Sequence, residues 1–290
     1  MGAIQARERT FRHPRLTVRG REFEWGRRTY LMGVINLTPD SFSGDGLGGD
    51  IEAAVARARL MEAEGADILD VGAESTRPDA PAIEAPEELA RLIEPLEAIR
   101  ATTGLPISVD TYRAEVARAA LAVGADIVND VTALQGDPLM ARVVAEAGVP
   151  IIAMHNQRGR QFHDVVGDID EGFACALATA RMAGIPDHSI ILDPGFGFGW
   201  TPEQNLEMLR RLPELQGHRL PLLVGVSRKS TLGLVLERPD VSGRAWGTAA
   251  AISLAIAGGA DIVRVHDVGE MRDTVRVADA IVRGRWKHRG

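Results

Sequence analysis

One phrase occurs three times in the chain and constrains its fold more than any other feature. It reads Gly-Ala-Asp followed by isoleucine and a second aliphatic residue, at positions 65–69, 124–128 and 259–263. Each copy follows an amphipathic stretch, so the glycine is a helix stop signal and the apolar residues after the aspartate begin a buried strand. The segment Gly148-Val-Pro-Ile-Ile repeats the arrangement with Val-Pro in place of Ala-Asp. These repeats predict alternating strands and helices.

The apolar runs of the chain predict eight strands and eight helices. The strands are continuously apolar rather than alternating, which is expected of parallel strands covered on both faces. Eight such units in about 250 residues fit one (β/α)8 barrel, and a doubly wound sheet is the alternative. We expect strands near residues 30–36, 68–73, 106–111, 127–132, 150–155, 190–195, 221–227 and 262–267, and helices near 51–64, 86–100, 113–123, 138–147, 169–184, 202–211, 243–258 and 269–284.

A different type of sequence precedes these units. Residues 1–15 are polar and rich in arginine, and we expect them to form a flexible N-terminal extension. The stretch from Leu16 to Trp25 predicts two short strands around Gly20, a hairpin that closes the floor of the barrel. Because no linker divides the remainder, residues 16–290 are predicted to form a single barrel domain.

Composition excludes several classes of protein. A net charge of -7 and a pI near 5.6 argue against binding to nucleic acid or to an anionic membrane surface. No apolar run approaches the roughly 20 residues of a membrane-spanning helix, and the charged N-terminus is unlike a signal peptide. We therefore expect a cytoplasmic protein. The single cysteine, Cys175, permits no intrachain disulfide and lies in an apolar stretch, where we expect it to be buried.

Every predicted strand ends in polar or ionisable residues. In a (β/α)8 barrel the active site is built from the C-terminal ends of the strands and the loops that follow them. Any one of these residues could simply cap the next helix, but eight cases in one chain indicate a site. The strand ends are Asn36, Glu74 to Arg77, Asp110, Asn129 with Asp130, Met154 to Asn156, Asp193, Ser227 to Ser230, and Arg264 to Asp267.

The strand-end residues are of two chemical types. Asp110, Asn129 and Asp193 offer anionic or neutral hydrogen-bonding groups, which suit a nitrogen-rich heterocycle with several N–H donors. A second group is cationic or can become so, which suits phosphate or diphosphate. The inferred ligand is a flat heterocycle that bears a diphosphate. The second group consists of Arg77, Lys229, Arg264 and His266.

Two loops add further groups to the predicted site. Asn36 and Asp45 could hold a Mg²⁺ ion that bridges diphosphate oxygens, because Mg²⁺ prefers few protein oxygens and keeps several waters. The glycine-rich loop 195–199 permits tight turns and presents Phe196 or Phe198 as an aromatic wall.

Seven segments of the chain together resemble one known family, the dihydropteroate synthases, which are pterin-binding barrels. They occur in family order, the resemblance runs from about residue 30 to residue 284, and the first, sixth and seventh segments are the most specific. The segments are NLTPDSF at 36–42, DVGAESTRP at 70–78, SVDT at 108–111, NDV at 129–131, DPGFGFG at 193–199, GVSRK at 225–229 and RVHDV at 264–268.

The resemblance implies a folate-pathway transferase. Such an enzyme joins 6-hydroxymethyl-7,8-dihydropterin diphosphate to 4-aminobenzoate and releases diphosphate in a Mg²⁺-dependent reaction. Sulfonamides inhibit this family by mimicking the aminobenzoate, and the loop after the second strand lacks the extra residues of resistant relatives. Dimers are usual in the family, so a homodimer is expected.

The resemblance also implies roles for individual residues. Asp110, Lys229, Arg264 and His266 are the candidate catalytic residues. The family assigns Asp110, Asn129, Met154, Asp193 and Lys229 to the pterin, Asn36, Arg264 and His266 to the diphosphate and metal, and Thr76, Arg77, Pro78, Phe198 and Ser230 to the aminobenzoate. The chemistry of the residues adds Arg77 to the diphosphate group and Asp45 to the metal ligands.

Some positions depart from the family pattern, and two other functions stay open. Trp200 stands where family members commonly have lysine, Asp45 is displaced by one residue, and residues 155–159 differ from the common Met-His-Met form. One alternative is a catalytically silent pterin-binding paralogue, which Trp200 favours. The other is a pterin-dependent methyltransferase barrel that serves a corrinoid, which would need neither NLTPDSF nor the Ser-Arg-Lys of residues 227–229.

Overall fold

The computed structural model describes residues 11–38, 46–48, 50–75, 82–284 and 286. It begins with an antiparallel hairpin of two strands, β1 (Arg15–Val18) and β2 (Arg21–Glu24). A second sheet has eight strands, all parallel: β3 (Tyr30–Asn36), β4 (Ile68–Gly72), β5 (Ile107–Asp110), β6 (Ile127–Asp130), β7 (Ile151–Met154), β8 (Ile190–Asp193), β9 (Leu223–Val224) and β10 (Ile262–Val265).

The parallel sheet closes into a barrel. Its strand order is β8-β7-β6-β5-β4-β3-β10-β9, and a parallel bridge between Leu192 and Leu222 joins the two ends. The predicted (β/α)8 fold is therefore confirmed. Strand β9 is shorter than the predicted 221–227, because after Val224 the chain leaves the ladder and passes through Arg228, whose φ of +57° no strand can accommodate.

Helices surround the barrel and follow its strands. Short 3₁₀ turns at Asp187–Ser189, Leu212–His218 and Ser242–Arg244 complete the connections. The helices are α1 (Ile51–Glu64), α2 (Ala85–Arg100), α3 (Ala114–Ala122), α4 (Met140–Ala147), α5 (Val165–Ala183), α6 (Pro202–Arg211), α7 (Ser230–Val235), α8 (Ala245–Ala257) and α9 (Val268–Arg283).

The repeated Gly-Ala-Asp phrase has the same structural role in all three places. Its glycines, at 65, 124 and 259, have φ of +101°, +111° and +99°, values at which a side chain would be strained. The aspartate two residues later accepts a backbone N–H from the neighbouring strand. Asp67 accepts from Leu31 at 2.9 Å, Asp126 from Ile107 at 2.9 Å, and Asp261 from Leu222 at 3.0 Å. The phrase therefore ends a helix and ties the next strand to its neighbour.

The N-terminal hairpin closes the floor of the barrel, as predicted. Its apolar side chains, which include Leu16, Val18, Phe23 and Trp25, are at most 6% exposed. They form one cluster with the first inward-facing residues of the barrel strands, such as Ile68 and Ile127. The opposite, C-terminal end of the barrel carries the loops and the polar strand ends.

Two features differ from the predictions. Helix α7 was not expected, because six residues are too few to show a helical period. The prediction that Cys175 is buried is wrong, since its side chain is exposed. In α5 it lies two residues after the fully buried Phe173, a rotation of about 200° that turns it to the outer face. No helix among the described residues is long and apolar enough to cross a membrane.

Candidate active site

A pocket lies at the C-terminal end of the barrel, where the predicted residues converge. Side chains from β5, β6, β7, β8 and β10 reach it from the strand ends, and the loops after β8 and β9 complete it. All five residues predicted to bind the heterocycle line this one pocket. The lining consists of Asp110, Asn129, Val131, Met154, Asp193, Phe196, Phe198, Gly225, Lys229 and Arg264.

Arg264 is held between two carboxylates. Its Nε donates to Oδ2 of Asp70 at 2.6 Å, and its Nη2 donates to Oδ2 of Asp110 at 2.8 Å. Asp70 is fully buried and also accepts a hydrogen bond from Nδ2 of Asn129 at 3.2 Å. Its other oxygen, Oδ1, has no hydrogen-bond partner among the described residues. This arrangement fixes the guanidinium in the barrel interior.

Asp70 is a site residue that the strand-end reasoning missed. It lies in the middle of β4, in a run predicted only as a buried strand. A charged residue in a strand that is covered on both faces is costly unless it is paired, so its position was itself a signal. The partner of Asp70, Arg264, lies 194 positions away in sequence, and only the closed barrel brings the two together.

The pocket perturbs its ionisable groups. Burial raises the pKa of Asp110 to about 7, although Arg264 counteracts the shift. Burial also raises the pKa of Asp193 to about 6. The pKa of Lys229 is lowered to about 8, first by burial and then by the nearby charge of Arg264. With all groups ionised, three carboxylates including Asp70 and two cations leave one net negative charge around the pocket.

The glycine-rich loop after β8 brings the backbone close to the loop after β7. Oδ1 of Asp193 accepts a hydrogen bond from the backbone N–H of Gly195 at 2.8 Å. A Cβ at Gly195 would lie 1.9 Å from the carbonyl oxygen of His155, and one at Gly199 would lie 2.4 Å from the nitrogen of Arg158. Both glycines also have positive φ. Only glycine fits these two positions, so the turns predicted for this loop are present.

Phe198 forms the aromatic wall of the pocket. It is 9% exposed and packs with Val131 and Met154. Nζ of Lys229 lies 4.4 Å from the centre of its ring, and the guanidinium carbon of Arg158 lies 4.8 Å from it. Phe196 also lines the pocket, but it is 1% exposed and belongs to the core. The aromatic face beside the cations is therefore that of Phe198.

A strained turn presents Lys229. The preceding residue, Arg228, has a left-handed φ of +57°, which is unusual for a side chain of this size. Its Nε donates to Asp267 at 2.9 Å, and its backbone N–H donates to Thr248 at 3.2 Å. Ser230, the first residue of α7, is exposed next to it. The contacts of Arg228 hold the backbone that carries the lysine.

The residues expected at the diphosphate lie on β3 and β10. Asn36 is the last residue of β3 and lies in register with Gly72 of β4. His266 follows β10, and its Nδ1 lies 3.0 Å from Oγ of Ser227. Nη2 of Arg57, from α1, donates to the carbonyl of His266 at 2.5 Å. Neither Asn36 nor His266 lines the pocket described above, whereas Arg264 does.

Several predicted residues lie outside the described part of the chain. These include one of the two expected metal ligands and the residues of the second loop. No group of three or more His, Cys, Asp or Glu side chains that could hold a metal occurs among the described residues. The residues outside are Asp45, Thr76, Arg77 and Pro78.

Arg113 joins the two ends of the segment that contains the second loop. It donates from Nη1 to Glu74 and from Nη2 to the carbonyl oxygen of Ile83, each at 2.5 Å. Nη1 also donates at 2.5 Å to Glu88, whose side chain is 1% exposed. The backbone N–H of Ile83 donates to Glu74 at 3.3 Å. Arg113 therefore pairs with two carboxylates and connects both ends of this segment.

Trp200 does not enter the pocket. It is 7% exposed and packs against the rings of His155, at 5.5 Å, and Phe162, at 6.4 Å. His155 in turn hydrogen-bonds to Gln157 through Nε2 at 2.9 Å. The tryptophan therefore packs the loop after β7 onto the loop after β8.

Comparison with known proteins shows the family of the chain. The model of the family described as "Pterin binding enzyme" matches residues 32–266. A dihydropteroate synthase of Synechocystis sp. is 47% identical over 277 residues, which cover 93% of this chain and 96% of the relative.

Two structures of the Xanthomonas albilineans dihydropteroate synthase are also similar. The one with 4-aminobenzoic acid is 41% identical with a TM-score of 0.86, and covers 93% of this chain and 98% of that one. The one with 7,8-dihydropteroate is 40% identical with a TM-score of 0.84, and covers 92% and 98%.

The fold and these relatives indicate an enzyme of the (β/α)8 class, with a polar pocket at the C-terminal end of its barrel. The chain belongs to the family of pterin-binding enzymes that includes the dihydropteroate synthases.

Proposed function

We propose that this protein joins 6-hydroxymethyl-7,8-dihydropterin diphosphate to 4-aminobenzoate, forming 7,8-dihydropteroate and releasing diphosphate. One observation carries the proposal: Asp110, Asn129 and Asp193 line the same pocket as Arg264 and Lys229. Hydrogen-bond acceptors for a pterin thus lie beside cations for a diphosphate. The ligands of the Xanthomonas albilineans structures support the same assignment.

The pterin is proposed to bind in the deep part of the pocket. Its N–H groups are donors, and the carboxylates of Asp110 and Asp193 with the amide of Asn129 provide acceptors. Met154, which is 3% exposed, would pack on the ring. When the bond from the methylene carbon to the diphosphate oxygen breaks, electron density leaves the pterin. The net negative charge of the pocket would stabilise the electron-poor ring, and Asp110 is our candidate for most of that effect.

The diphosphate is proposed to leave toward the cationic side of the site. The electron pair of the C–O bond departs with the diphosphate, whose charge Arg264, His266 and Arg77 would balance. Asn36 offers an amide oxygen, a type of ligand that Mg²⁺ accepts, and Asp45 would be a second ligand. A Mg²⁺ ion bound there would neutralise charge on the diphosphate oxygens.

The aminobenzoate is proposed to lie against Phe198, near Ser230 and the second-loop residues 76–78. Its amine attacks the methylene carbon with the nitrogen lone pair and forms the new C–N bond. The resulting arylammonium is a strong acid and loses its proton to water, so no dedicated general base is required. Sulfonamides would compete for the same surface, because they share the aminophenyl group.

A coupled diphosphate-release assay tests this function against its alternatives. We expect release that requires both the pterin diphosphate and 4-aminobenzoate. Pterin binding without release above background would instead indicate a catalytically silent paralogue. Methyl transfer from a reduced folate to a corrinoid, without diphosphate release, would indicate the methyltransferase alternative. Each of these two results would refute the proposal.

We also propose that the protein is a homodimer that pairs through α8. This helix contains no charged residue. Trp246, Ala250 and Leu254 form an exposed stripe at a spacing of four, with Trp246 83% and Leu254 64% exposed. Light scattering should give the mass of a dimer, and Leu254→Glu should reduce it to that of a monomer. Met182→Glu, at an 89% exposed position on α5, is the matched control. A monomeric wild-type protein would contradict this proposal.

A further inference from the structure

Arg158 is a cation beside Phe198, the aromatic wall of the pocket, and neither the strand-end reasoning nor the family assignments include it. It lies in the loop after β7, and its guanidinium carbon is 4.8 Å from the centre of the Phe198 ring. Its backbone is held in place, since its N–H donates to Oδ1 of Asn156 at 3.1 Å. The same nitrogen lies so close to Gly199 that no side chain fits there. The starting point of this long side chain is therefore fixed relative to the glycine-rich loop.

The positive charge of Arg158 is not balanced within the described part of the chain. No carboxylate among those residues pairs with its guanidinium, and partial burial lowers its pKa with no carboxylate to oppose the shift. Other partly buried arginines differ in this respect, because Arg113 and Arg264 each contact two carboxylates. The side chain of Arg158 is exposed, so an anion can reach its guanidinium and relieve the desolvation cost of the part that packs against Phe198.

A second cation lies on the same ring. Nζ of Lys229 is 4.4 Å from the centre of Phe198, and the charge of Arg158 contributes to lowering the pKa of Lys229. Lys229 has Asp193 and Asp110 nearby, whereas Arg158 lies on the outer, exposed side. Two like charges beside one aromatic ring repel each other, so this edge of the pocket attracts a negatively charged group.

The position of Arg158 around the barrel indicates which part of the substrates supplies the negatively charged group. In the closed strand order, β7 lies opposite β3, which carries Asn36, and it is separated from β10 by β8 and β9. The proposed diphosphate residues Asn36, Arg264 and His266 are thus on the far side from Arg158. Phe198, the proposed surface for the aminobenzoate ring, is directly beneath it.

We propose that Arg158 binds the carboxylate of 4-aminobenzoate and selects this amine over arylamines that lack a carboxylate. The inference rests on the proposed function and adds a specificity-determining residue to it. The para arrangement places the carboxylate on the opposite side of the ring from the reacting amine. A guanidinium can therefore hold one end while the other meets the methylene carbon, and its planar fork matches a carboxylate. Trp200 is buried and supplies no charge here. Among the described residues of the loops after β7 and β8, Arg158 is the cation that lies beside the Phe198 ring.

The test compares two amines in wild-type and variant enzymes. 4-Aminobenzoate carries the carboxylate, and 4-aminobenzamide has nearly the same shape without the charge. For Arg158→Ala we expect the Michaelis constant for the carboxylate substrate to rise about tenfold, as loss of a charge-assisted hydrogen bond would cause, with kcat changed less than about twofold. The Michaelis constant for the amide, or its inhibition constant if turnover is too slow, should not change. Arg158→Lys should recover part of the loss.

Controls separate binding from structural effects. Arg160→Ala, at an exposed arginine two positions along the same loop, should leave all constants unchanged. Arg158→Gln keeps the stem over Phe198 and should behave like Arg158→Ala, which makes the test independent of any folding defect in the alanine variant. Equal losses for both amines, or no loss for either, would overturn the inference while wild-type turnover still supported the proposed function. Absence of wild-type turnover would refute the proposed function itself.

Discussion

Replacing Asp70 by asparagine should weaken catalysis without unfolding the barrel. Asp70 is fully buried, and its side chain orients Arg264, which is 21% exposed, by a 2.6 Å hydrogen bond. Asparagine has nearly the same size and still offers an oxygen to Nε of Arg264. The substitution therefore removes the negative charge and leaves the packing. Asp110 is then the one carboxylate among the described residues that still balances the charge of Arg264.

The expected loss of activity follows from the type of hydrogen bond that joins Asp70 to Arg264. A hydrogen bond to a charged group contributes about 1.5–3 kcal/mol and a neutral one about 0.5–1.5 kcal/mol, so removing the charge while keeping the bond should lower kcat/KM for the pterin diphosphate roughly 5- to 12-fold. The loss should appear in both kcat and KM, because Arg264 is proposed to contact the substrate before and during departure of the diphosphate. Removing the charge of Asp70 also brings the pocket closer to neutrality, which destabilises the electron-poor pterin.

The assay is steady-state diphosphate release with both substrates varied, together with urea unfolding of each variant. Asp126→Asn is the matched control, because Asp126 also pairs with a buried arginine, Arg100, at 3.0 Å, but at the floor of the barrel. We expect that variant to lose stability and to keep its kcat/KM. If Asp70→Asn retained kcat/KM within about twofold of wild type, the role given to the Asp70–Arg264 pair would be wrong.

Three further predictions concern pH, stability and inhibition. Asp193 and Asp110 must be ionised to act as proposed, so kcat/KM should rise as the pH passes from about 6 to 7, and it should fall above about 8 as Lys229 loses its proton. A flat profile from pH 5 to 9 would contradict these roles. Arg113→Met leaves the buried carboxylate of Glu88 without its cationic partner and with only the hydrogen bond of Thr111, so the free energy of unfolding in urea should drop by about 3–5 kcal/mol, and an added Glu88→Gln should restore part of it. A sulfonamide should inhibit competitively with 4-aminobenzoate, and normal turnover at high sulfonamide would exclude the proposed aminobenzoate site.

The fold was predictable because its signals are local and repeated. The Gly-Ala-Asp phrase ends a helix and begins a strand within a few residues, and each later strand is a continuous apolar run. Strand β9 was the weakest case, since only two of its residues stay in the ladder before the turn through Arg228. Helix α7 was missed because six residues carry no period. Both errors, at β9 and at α7, arise where the chain bends toward the pocket. There the local pattern of apolar residues no longer determines the secondary structure.

The site was predictable only in part. The ends of apolar runs identified the residues that line the pocket, because parallel strands deliver their C-terminal ends to one place. The same rule could not find Asp70, which lies inside a strand and acts through a residue far away in sequence. Nor could it find Arg158, whose relation to Phe198 depends on how two loops pack against each other. Cys175 shows the converse error, because an apolar neighbourhood in sequence does not determine which face of a helix a residue occupies.

In the proposed reaction an anionic barrel interior supports departure of diphosphate from a bound pterin. The most direct test of this role is the single-turnover rate of dihydropteroate formation, measured by mass spectrometry with enzyme in excess, for wild type and Asp110→Asn. We expect one dihydropteroate and one diphosphate for each pterin diphosphate consumed by wild type. The rate should fall roughly 100-fold or more in the variant, as for loss of a group that stabilises transition-state charge. Formation of dihydropteroate by Asp110→Asn at nearly the wild-type rate would contradict this role.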